Sequence, residues 1–333
     1  MSAPRIRRIW PVLTSAAALA IGLAACSSGS PSTNDQGSGP ELTHISVTAL
    51  DIPDAVTIEI AQKEGFFKQQ GLTVSVQTVA ASEDTTPELL AHSIDFVTEN
   101  YVGMYTQQQQ NPALQLHVVA DDLQAAPGVF EIMVPKNSKI TSPADLKGKT
   151  IAFPGPGPSI GSLSMNVLFS AYHIPVNDFT NVITPFPDMP GVLAAGKVDA
   201  AWATEPFVTI MEAAGARPLV DVMTGPLANF PISCWATTGW FIDHYPRTVA
   251  AFQRAIVKAQ QVAASNQPLV RSLLPTFIKG LPPQIANVMA LGTYNTTLSL
   301  TRMERVADVM EEYKILPANF NVQSMYYPLP SGS

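Results

Sequence analysis

The architecture of this chain is clearest in the stretch Asp145-Leu-Lys-Gly-Lys-Thr-Ile-Ala-Phe-Pro-Gly-Pro-Gly-Pro-Ser-Ile-Gly-Ser162. Within it, Thr150–Phe153 is a short apolar run bounded by turn residues, which predicts a buried strand. From Ser159 onward, apolar residues recur at helical spacing, so a helix follows the turn. The first N–H groups of a helix have no partner inside it, and here they can bind an anion or a carbonyl group. We therefore expect a ligand at this turn and at the loops that face it.

The same turn also fits a catalytic motif. Gly157-Pro-Ser-Ile-Gly161 matches the G-x-S-x-G nucleophile elbow and lies between a strand and a helix, as that motif requires. An acid, Asp188 or Asp221, and then His244 follow in the chain order that α/β-hydrolases use. Nothing else in the sequence marks these residues as a triad, so a secreted serine hydrolase stays an alternative. The glycines of the turn miss the G-x-G-x-x-G dinucleotide spacing by one residue.

The composition limits the class of protein. The chain has 333 residues, of which 46% are hydrophobic and 14% are charged, enough for one large or two ordinary globular domains. The formal net charge of −7 becomes −10 without the three arginines near the N-terminus, and no basic run suggests nucleic acid. After Cys26 the only cysteine is Cys234, and the five histidines are scattered. The sequence therefore predicts no disulfide framework, no metal site and no cofactor.

The N-terminus predicts export. Residues 1–25 are typical of a secretory signal peptide, because three arginines precede an apolar stretch that is short for a membrane span. The stretch ends in Leu23-Ala-Ala-Cys26, which resembles the bacterial lipobox. That resemblance implies that the signal is removed and that Cys26 carries a lipid. Residues 26–42, rich in serine, glycine and proline, predict a flexible tether.

From about residue 43, predicted strands and helices alternate, which favours a parallel sheet with covering helices. The strands of this first part are expected at 45–50, 72–79, 94–97 and 114–120. Ligands bind at the carboxyl ends of the strands in such sheets. One rim of the sheet should therefore consist of the loops 51–54, 82–86, 99–101 and 121–124.

The pattern restarts near residue 133 and predicts a second lobe. Leu193-Ala-Ala-Gly-Lys-Val-Asp199 echoes Leu89-Leu-Ala-His-Ser-Ile-Asp95 at the corresponding place in the order of elements. The last part of the chain is mainly helical and should return to the first lobe, which requires two crossings between lobes. The sequence therefore predicts an α/β fold of two doubly wound lobes joined by a two-strand hinge, with a ligand cleft between them. Lobe 1 would comprise 43–132 plus 233–330, and lobe 2 would comprise 133–232.

Several motifs in this order resemble one family of receptors. They are Ala61-Gln-Lys-Glu-Gly-Phe-Phe67, Asp95-Phe96, Pro135 to Ser138, Asp145-Leu-Lys-Gly-Lys149, Gly196-Lys-Val-Asp-Ala200 and Glu205-Pro206. From about residue 43 to 313 the chain resembles the type II periplasmic-binding-protein superfamily. More narrowly, it resembles the nitrate, sulfonate, taurine and thiamine-pyrimidine-precursor branch of ABC-importer receptors. The resemblance implies a monomer that closes on a solute and delivers it to a membrane permease driven by an ATPase, both made from other chains. With the lipobox, it implies anchoring to the outer face of the bacterial cytoplasmic membrane or its periplasmic side.

The resemblance also implies which residues contact the solute, and it implies no catalytic residue. Carried over position by position, the contacts are Asp51, Ile52, Pro53, Ser82, Glu83, Asn100, Tyr101, Gly157, Pro158, Ser159, Ile160, Gly161, Ser162, Asp188, Trp202, Glu205 and Trp235. A structural role competes at several of these positions. Trp202 is as readily a core residue as a stacking platform, Tyr101 can cover a helix surface, and Asp188 can cap the following helix.

The charge of the predicted rim bears on the solute. The rim carries no lysine or arginine, and its acidic residues are Asp51, Asp54, Glu83, Asp84, Glu99, Asp121, Asp122, Asp188 and Glu205. This favours an uncharged or cationic organic solute, with a heteroaromatic ring stacked on Trp202, Trp235 or Tyr101. A sulfonate or nitrate held by helix N-termini ranks close behind. A lipoprotein that senses the solute for a signalling partner is a third alternative, beside the importer receptor and the hydrolase.

Overall fold

The computed structural model describes residues 39–79, 85–155, 157–176 and 178–330. The predicted signal peptide, Cys26 and most of the predicted tether lie outside these ranges. Inside them, none of the helices has the length and apolar character that a membrane span needs.

Strands and helices alternate along the described ranges. The strands are β1 (His44–Ala49), β2 (Thr73–Thr78), β3 (Phe96–Asn100), β4 (Leu116–Asp121), β5 (Leu123–Gln124), β6 (Phe130–Pro135), β7 (Thr150–Phe153), β8 (Thr180–Ile183), β9 (Ala200–Thr204), β10 (Ala216–Asp221), β11 (Ser233–Thr238) and β12 (Thr293–Tyr294). The helices are α1 (Val56–Lys63), α2 (Phe66–Gln69), α3 (Thr86–Leu90), α4 (Tyr101–Gln110), α5 (Ile160–Ala171), α6 (Met189–Ala194), α7 (Phe207–Ala213), α8 (Gly239–His244), α9 (Pro246–Ser265), α10 (Gln267–Phe277), α11 (Pro283–Val288) and α12 (Leu300–Glu312).

The strands form two five-stranded sheets and one short pair. The first sheet has the order β2-β1-β3-β11-β4, the second has the order β10-β6-β9-β7-β8, and β12 pairs with β5. Each sheet is mixed, because β11 runs antiparallel to both of its neighbours and β6 does the same in the second sheet. The four strands expected in the first part of the chain do run parallel, and β11 joins their sheet in the opposite direction.

The physical reason lies in how the chain reaches these two strands. β11 follows β10 of the second sheet, and β6 follows β4 and β5 on the side of the first sheet. A strand that comes from another sheet is not bound by the crossover geometry that keeps consecutive βαβ strands parallel. The remaining strands of each sheet keep the direction that the βα alternation predicts.

The helical tail packs on the first sheet. Phe252 of α9 is fully buried, and its ring stacks on Phe96 of β3 with a centroid distance of 3.9 Å. It also meets Phe67 at 5.8 Å and Trp235 of β11 at 5.7 Å. Burial of one such ring stabilises the fold by about 1.5–3 kcal/mol, and aromatic pairs add further stabilisation. This cluster holds β3 and β11 against α9, and those two strands carry residues of the cavity described below.

Replacing Phe252 tests the importance of this cluster. We expect Phe252→Ala to lower the free energy of unfolding by about 3–5 kcal/mol, because it removes a ring from a site with no solvent access. Urea unfolding followed by circular dichroism measures the effect. Phe66→Ala is the control, because that ring is only half-buried and should cost less than half as much. Equal losses for the two variants would show that the cluster is not central to the fold.

Candidate functional site

A cavity of about 680 Å³, its open mouth included, lies between the two sheets. Half of its wall comes from the strands and loops of the first sheet: Leu50, Ile52, Asp54, Thr98, Glu99, Asn100, Ile232 and Ser233. The other half comes from the second sheet: Phe130, Pro154, Gly155, Ser159, Ile160, Phe186, Trp202 and Thr204. The cavity therefore lies where the carboxyl ends of parallel strands meet, as expected for a ligand site in α/β sheets.

Five of the predicted contact residues lie in this wall. They are Ile52, Asn100, Ser159, Ile160 and Trp202. Their contact with a solute stays a prediction, but the structure brings them together from four separate segments of the chain. Asp51 lines a second cavity beside the first, of about 630 Å³, which shares Leu50, Ile52 and Phe186 with it.

The other predicted contacts lie elsewhere. Ser82 and Glu83 fall outside the described ranges. The wall of the main cavity does not include Asp51, Pro53, Tyr101, Gly157, Pro158, Gly161, Ser162, Asp188, Glu205 or Trp235.

Tyr101, Trp235 and Glu205 have internal partners instead. The Tyr101 hydroxyl donates to Asp121 at 2.6 Å, and the Trp235 indole N–H donates to the Thr57 hydroxyl at 3.2 Å. Both rings are fully buried. Glu205 accepts hydrogen bonds from the Thr209 hydroxyl at 2.7 Å and from a backbone N–H at 3.0 Å. Buried polar tips need a partner, and these side chains find theirs within the protein.

Sequence reasoning omitted several residues of the wall. Asp54 and Glu99 were recognised only as part of the acidic rim, although each lies within two residues of a predicted contact. Phe130 and Ser233 were missed as contacts because they begin the two reversed strands, β6 and β11, whose direction the alternation pattern does not predict. Phe186 lies at a strand-to-turn junction, and that position could have identified it as a residue of the wall.

Asp54 is a buried carboxyl group of the wall with a raised pKa. Only 7% of the residue is exposed, and burial raises its pKa from 3.8 to about 6. Hydrogen bonds from the Ser233 hydroxyl and from its own backbone N–H oppose the increase. Asp122 is fully buried and accepts a hydrogen bond from Thr57 at 3.1 Å. Its pKa is raised well above the usual range by burial and by the charge of Asp54. The first-sheet side of the cavity is thus markedly acidic.

Glu99 is held in place by α4. Its Oε1 accepts a hydrogen bond from the Gln107 side chain at 2.5 Å. A Cβ atom at Gly103 would come within 2.7 Å of the same oxygen, so the carboxyl group occupies the space that a side chain at 103 would need. Asn100 caps the same helix by accepting the Gly103 N–H at 2.8 Å.

Aromatic rings form the opposite side of the cavity. The Trp202 indole N–H donates to Ser164 of α5 at 2.9 Å, which fixes the ring in its orientation. Phe130 and Phe186 meet the indole with centroid distances of 5.7 and 6.2 Å. The site therefore combines a largely aromatic side with a side that carries carboxyl groups.

Ser159 is the N-cap residue of α5 and lacks the surroundings of a nucleophile. Its N–H donates to the Ser162 hydroxyl at 2.8 Å, in a capping arrangement. His244 contacts the carbonyl of Trp240 with its Nδ1 at 2.7 Å. Asp221 accepts backbone N–H groups at 128 and 223. In the described part of the chain, no hydrogen bond joins Ser159 to a histidine.

The described residues also bear on metal binding and on thiol chemistry. Among residues 39–79, 85–155, 157–176 and 178–330, no three histidine, cysteine or acidic side chains come together as a metal site. Cys234 is buried beside the Glu99 carbonyl oxygen, with its Sγ 3.7 Å away. Burial raises the pKa of the thiol well above its usual range, so the reactive thiolate is disfavoured.

Solved structures show which proteins share the fold. The alkanesulfonate-binding protein SsuA from Xanthomonas axonopodis pv. citri, bound to MOPS, is 18% identical with a TM-score of 0.72 over 86% of this chain and 99% of that chain. The periplasmic nitrate-binding protein NrtA from Synechocystis PCC 6803 is 16% identical with a TM-score of 0.71, over 86% and 87%. The desulfurization enzyme DSZB is 18% identical with a TM-score of 0.64, over 86% and 97%. The predicted two-lobed α/β fold of the periplasmic binding proteins is confirmed.

Sequence comparison gives the family. No curated protein sequence matches the chain. Residues 52–268 match the family model described as NMT1/THI5 like. Because this match spans more than half of the chain, the protein belongs to the NMT1/THI5-like family.

Proposed function

We propose that this protein is the solute-binding component of an ABC importer and captures a small solute between its two lobes. The observation that carries the proposal is the cavity, because each sheet with its loops supplies half of the wall. A solute in such a site makes its full set of contacts only when the lobes are closed. The named solute receptors of the same fold support this role.

The remaining parts of the proposal concern delivery. The sequence places lobe 1 at residues 43–132 plus 233–330 and lobe 2 at 133–232. We move the first boundary to the start of β6, because this strand lies wholly in the second sheet, and we keep the second boundary, because β11 lies in the first sheet. A lipid on Cys26 would anchor the protein outside the cytoplasmic membrane, and residues 26–42 would tether it within reach of a permease. The permease and its ATPase would be other chains.

Catalysis by Ser159 is not favoured. The enzyme DSZB shows that this fold can host chemistry, so the site itself must decide. In the described residues, the hydroxyl of Ser159 has no hydrogen-bonded base, and His244 and Asp221 have other partners. The serine instead begins α5 and contributes to the cavity wall.

The buried position of Asp54 supports a role in binding, because it lowers the stability of the solute-free protein. An ionised carboxyl group that is buried beside other acids destabilises the fold. Below pH 3.8 both the folded and unfolded states hold the proton, and no difference arises. As the pH rises to about 6, the unfolded state loses the proton first, so stability falls. Residues that destabilise a fold in this way are typical of functional sites.

Filling the cavity should abolish binding. We expect at least one solute from a panel of sulfonates, nitrate, pyrimidines and amines to stabilise the protein, by about 2.7 kcal/mol at a hundred times its dissociation constant. Ile52→Trp should remove this stabilisation, because Ile52 lies in the wall that both cavities share. Differential scanning calorimetry measures the shift.

Ile183→Trp is the matched control, since that side chain is 57% exposed on β8. It should bind as the wild type does. Binding that survives in Ile52→Trp, or that is lost equally in both variants, would contradict a site between the lobes.

The energetic cost of Asp54 can be measured directly. We expect Asp54→Asn to raise the free energy of unfolding at pH 7.5 by about 3 kcal/mol, because the amide carries no charge to bury. The gain should shrink towards zero at pH 4, where Asp54 keeps its proton in the folded protein. Urea unfolding at both pH values checks this. Asp308→Asn, at an exposed position on α12, should change stability by less than about 0.5 kcal/mol at either pH.

The hydrolase alternative predicts a different result. We expect the purified protein to show no hydrolysis of p-nitrophenyl acetate above the buffer rate, and Ser159→Ala to behave identically. Colorimetric rates at pH 7.5 measure this. Turnover by the wild type that disappears in Ser159→Ala would favour catalysis over transport.

A further inference from the structure

The wall of the main cavity has a one-sided charge. Asp54 and Glu99 supply carboxyl groups, and none of the described wall residues is a lysine or an arginine. An anion in this space would face both carboxyl groups, and the described wall offers it no lysine or arginine. Charges that are shielded from water interact strongly, so the sign of the wall restricts the sign of the solute.

Arg302, which shares a hydrogen-bond network with Asp121 and Tyr101, already has partners within the protein. The Arg302 guanidinium meets Asp121 through Nε and Nη2, each 2.7 Å from the carboxylate. Asp121 also accepts the Tyr101 hydroxyl at 2.6 Å. Arg302 donates further to the Thr297 carbonyl oxygen. The guanidinium therefore has its partners within the fold.

The helix terminus at the cavity is partly satisfied as well. At the start of α5, the Ser159 N–H donates to the Ser162 hydroxyl at 2.8 Å, and the Ser159 side chain accepts from the helix in return. Such a capping box satisfies donors that would otherwise be free to bind an anion. The helix dipole alone would then have to balance two carboxyl groups.

An unpaired buried hydroxyl on the first-sheet side of the cavity independently indicates that this side binds a polar group. Thr98 is only 3% exposed, it lies in the cavity wall, and its hydroxyl has no hydrogen-bond partner in the described structure. A buried hydroxyl without a partner is destabilising. Glu99 is held beside it by Gln107 and by the space at Gly103. This side of the cavity therefore offers carboxylate acceptors together with a hydroxyl that can accept or donate a hydrogen bond.

Most of the opposite side of the cavity is apolar. Trp202, Phe130 and Phe186 present rings, and Ile160 and Ile232 complete the apolar surface. Phe186 also borders the second cavity, whose wall includes Val79, Pro185, Pro187 and Phe207. A ring in the main cavity would therefore have apolar space beside it for a substituent.

Building on the function proposed above, we propose that the solute is an organic cation. Its flat ring lies against Trp202 and Phe186, and its protonated amine or amidinium group binds Asp54 and Glu99. An N–H group of the same solute also satisfies the Thr98 hydroxyl. This assignment makes Asp54 and Glu99 the residues that determine the charge of the solute.

Three probes that share a benzene ring test the assignment: benzamidine, a cation; benzamide, its neutral counterpart; and benzenesulfonate, an anion. Isothermal titration calorimetry at pH 7.5 should show that wild-type protein binds benzamidine at least tenfold more tightly than benzamide and does not bind benzenesulfonate. Asp54→Asn and Glu99→Gln should each weaken benzamidine at least tenfold and change benzamide by less than threefold. Asp308→Asn, which alters the net charge equally but lies outside the wall, should bind as the wild type does.

The pH dependence gives a second readout that a structural role would not produce. Benzamidine keeps its charge between pH 5 and 7.5, whereas Asp54, with a pKa of about 6, loses its proton in this range. Affinity should rise about tenfold from pH 5 to 7.5 in the wild type and stay flat in Asp54→Asn. The titratable groups that interact with Asp54 are Asp122 and Tyr294, and burial raises the pKa of both well above their usual ranges.

Three outcomes would overturn the assignment. They are benzenesulfonate or benzamide binding as tightly as benzamidine, no benzamidine binding at 10 mM, and benzamidine binding that neither Asp54→Asn nor Glu99→Gln weakens. If an anion binds and Ile52→Trp blocks it, the receptor function stands and only the charge assignment fails. If no solute of this set or of the wider panel binds, the proposed function fails too.

Discussion

The direction of two strands controls where the cavity lies. In each sheet, four strands run together and present their carboxyl ends at one edge, while β11 or β6 runs against them. A reversed strand brings its first residue to that same edge. Ser233 begins β11 and Phe130 begins β6, and both lie in the cavity wall. The strands that carry the chain between sheets therefore also complete the site, so movement of one lobe against the other changes the wall directly.

Two buried aspartates, Asp121 and Asp54, differ in their electrostatic surroundings. Asp121 is paired with Arg302 and Tyr101, and such a pair keeps a structural network together. Asp54 lies in the cavity wall, where the hydrogen bonds found among the described residues come from the Ser233 hydroxyl and its own backbone N–H. Asp121 has its hydrogen-bond and ion-pair partners within the fold. Burying the ionised Asp54 lowers the stability of the fold, and in our proposal a bound cation offsets this loss. Both acids are buried, so it is this contrast, and not burial, that leads us to propose Asp54 as a binding carboxylate.

Local sequence patterns predict much of the fold. The alternation of strands and helices predicts the two sheets and the rim loops, and Ser159 was correctly expected near the start of a helix. The pattern failed where tertiary direction matters. Tyr101 directly follows Asn100, yet its ring turns into the core and only Asn100 reaches the cavity. Trp235 lies two residues after Ser233, further along β11 from the edge at the cavity, and its ring is also buried in the core. At a strand end, a shift of one residue exchanges the two faces, and composition does not indicate which face is which.

The tryptophans give the protein a built-in optical reporter. Trp202 lies in the cavity wall with its indole N–H fixed on Ser164, so a molecule that arrives in the cavity alters the surroundings of this ring. Trp235 is fully buried against Phe252 and Thr57 and does not line the main cavity. Trp240 lies outside this wall as well, so among the described tryptophans Trp202 acts as the sensor and Trp235 as a buried internal reference. Occupancy can be followed through native fluorescence without a dye or a fused label.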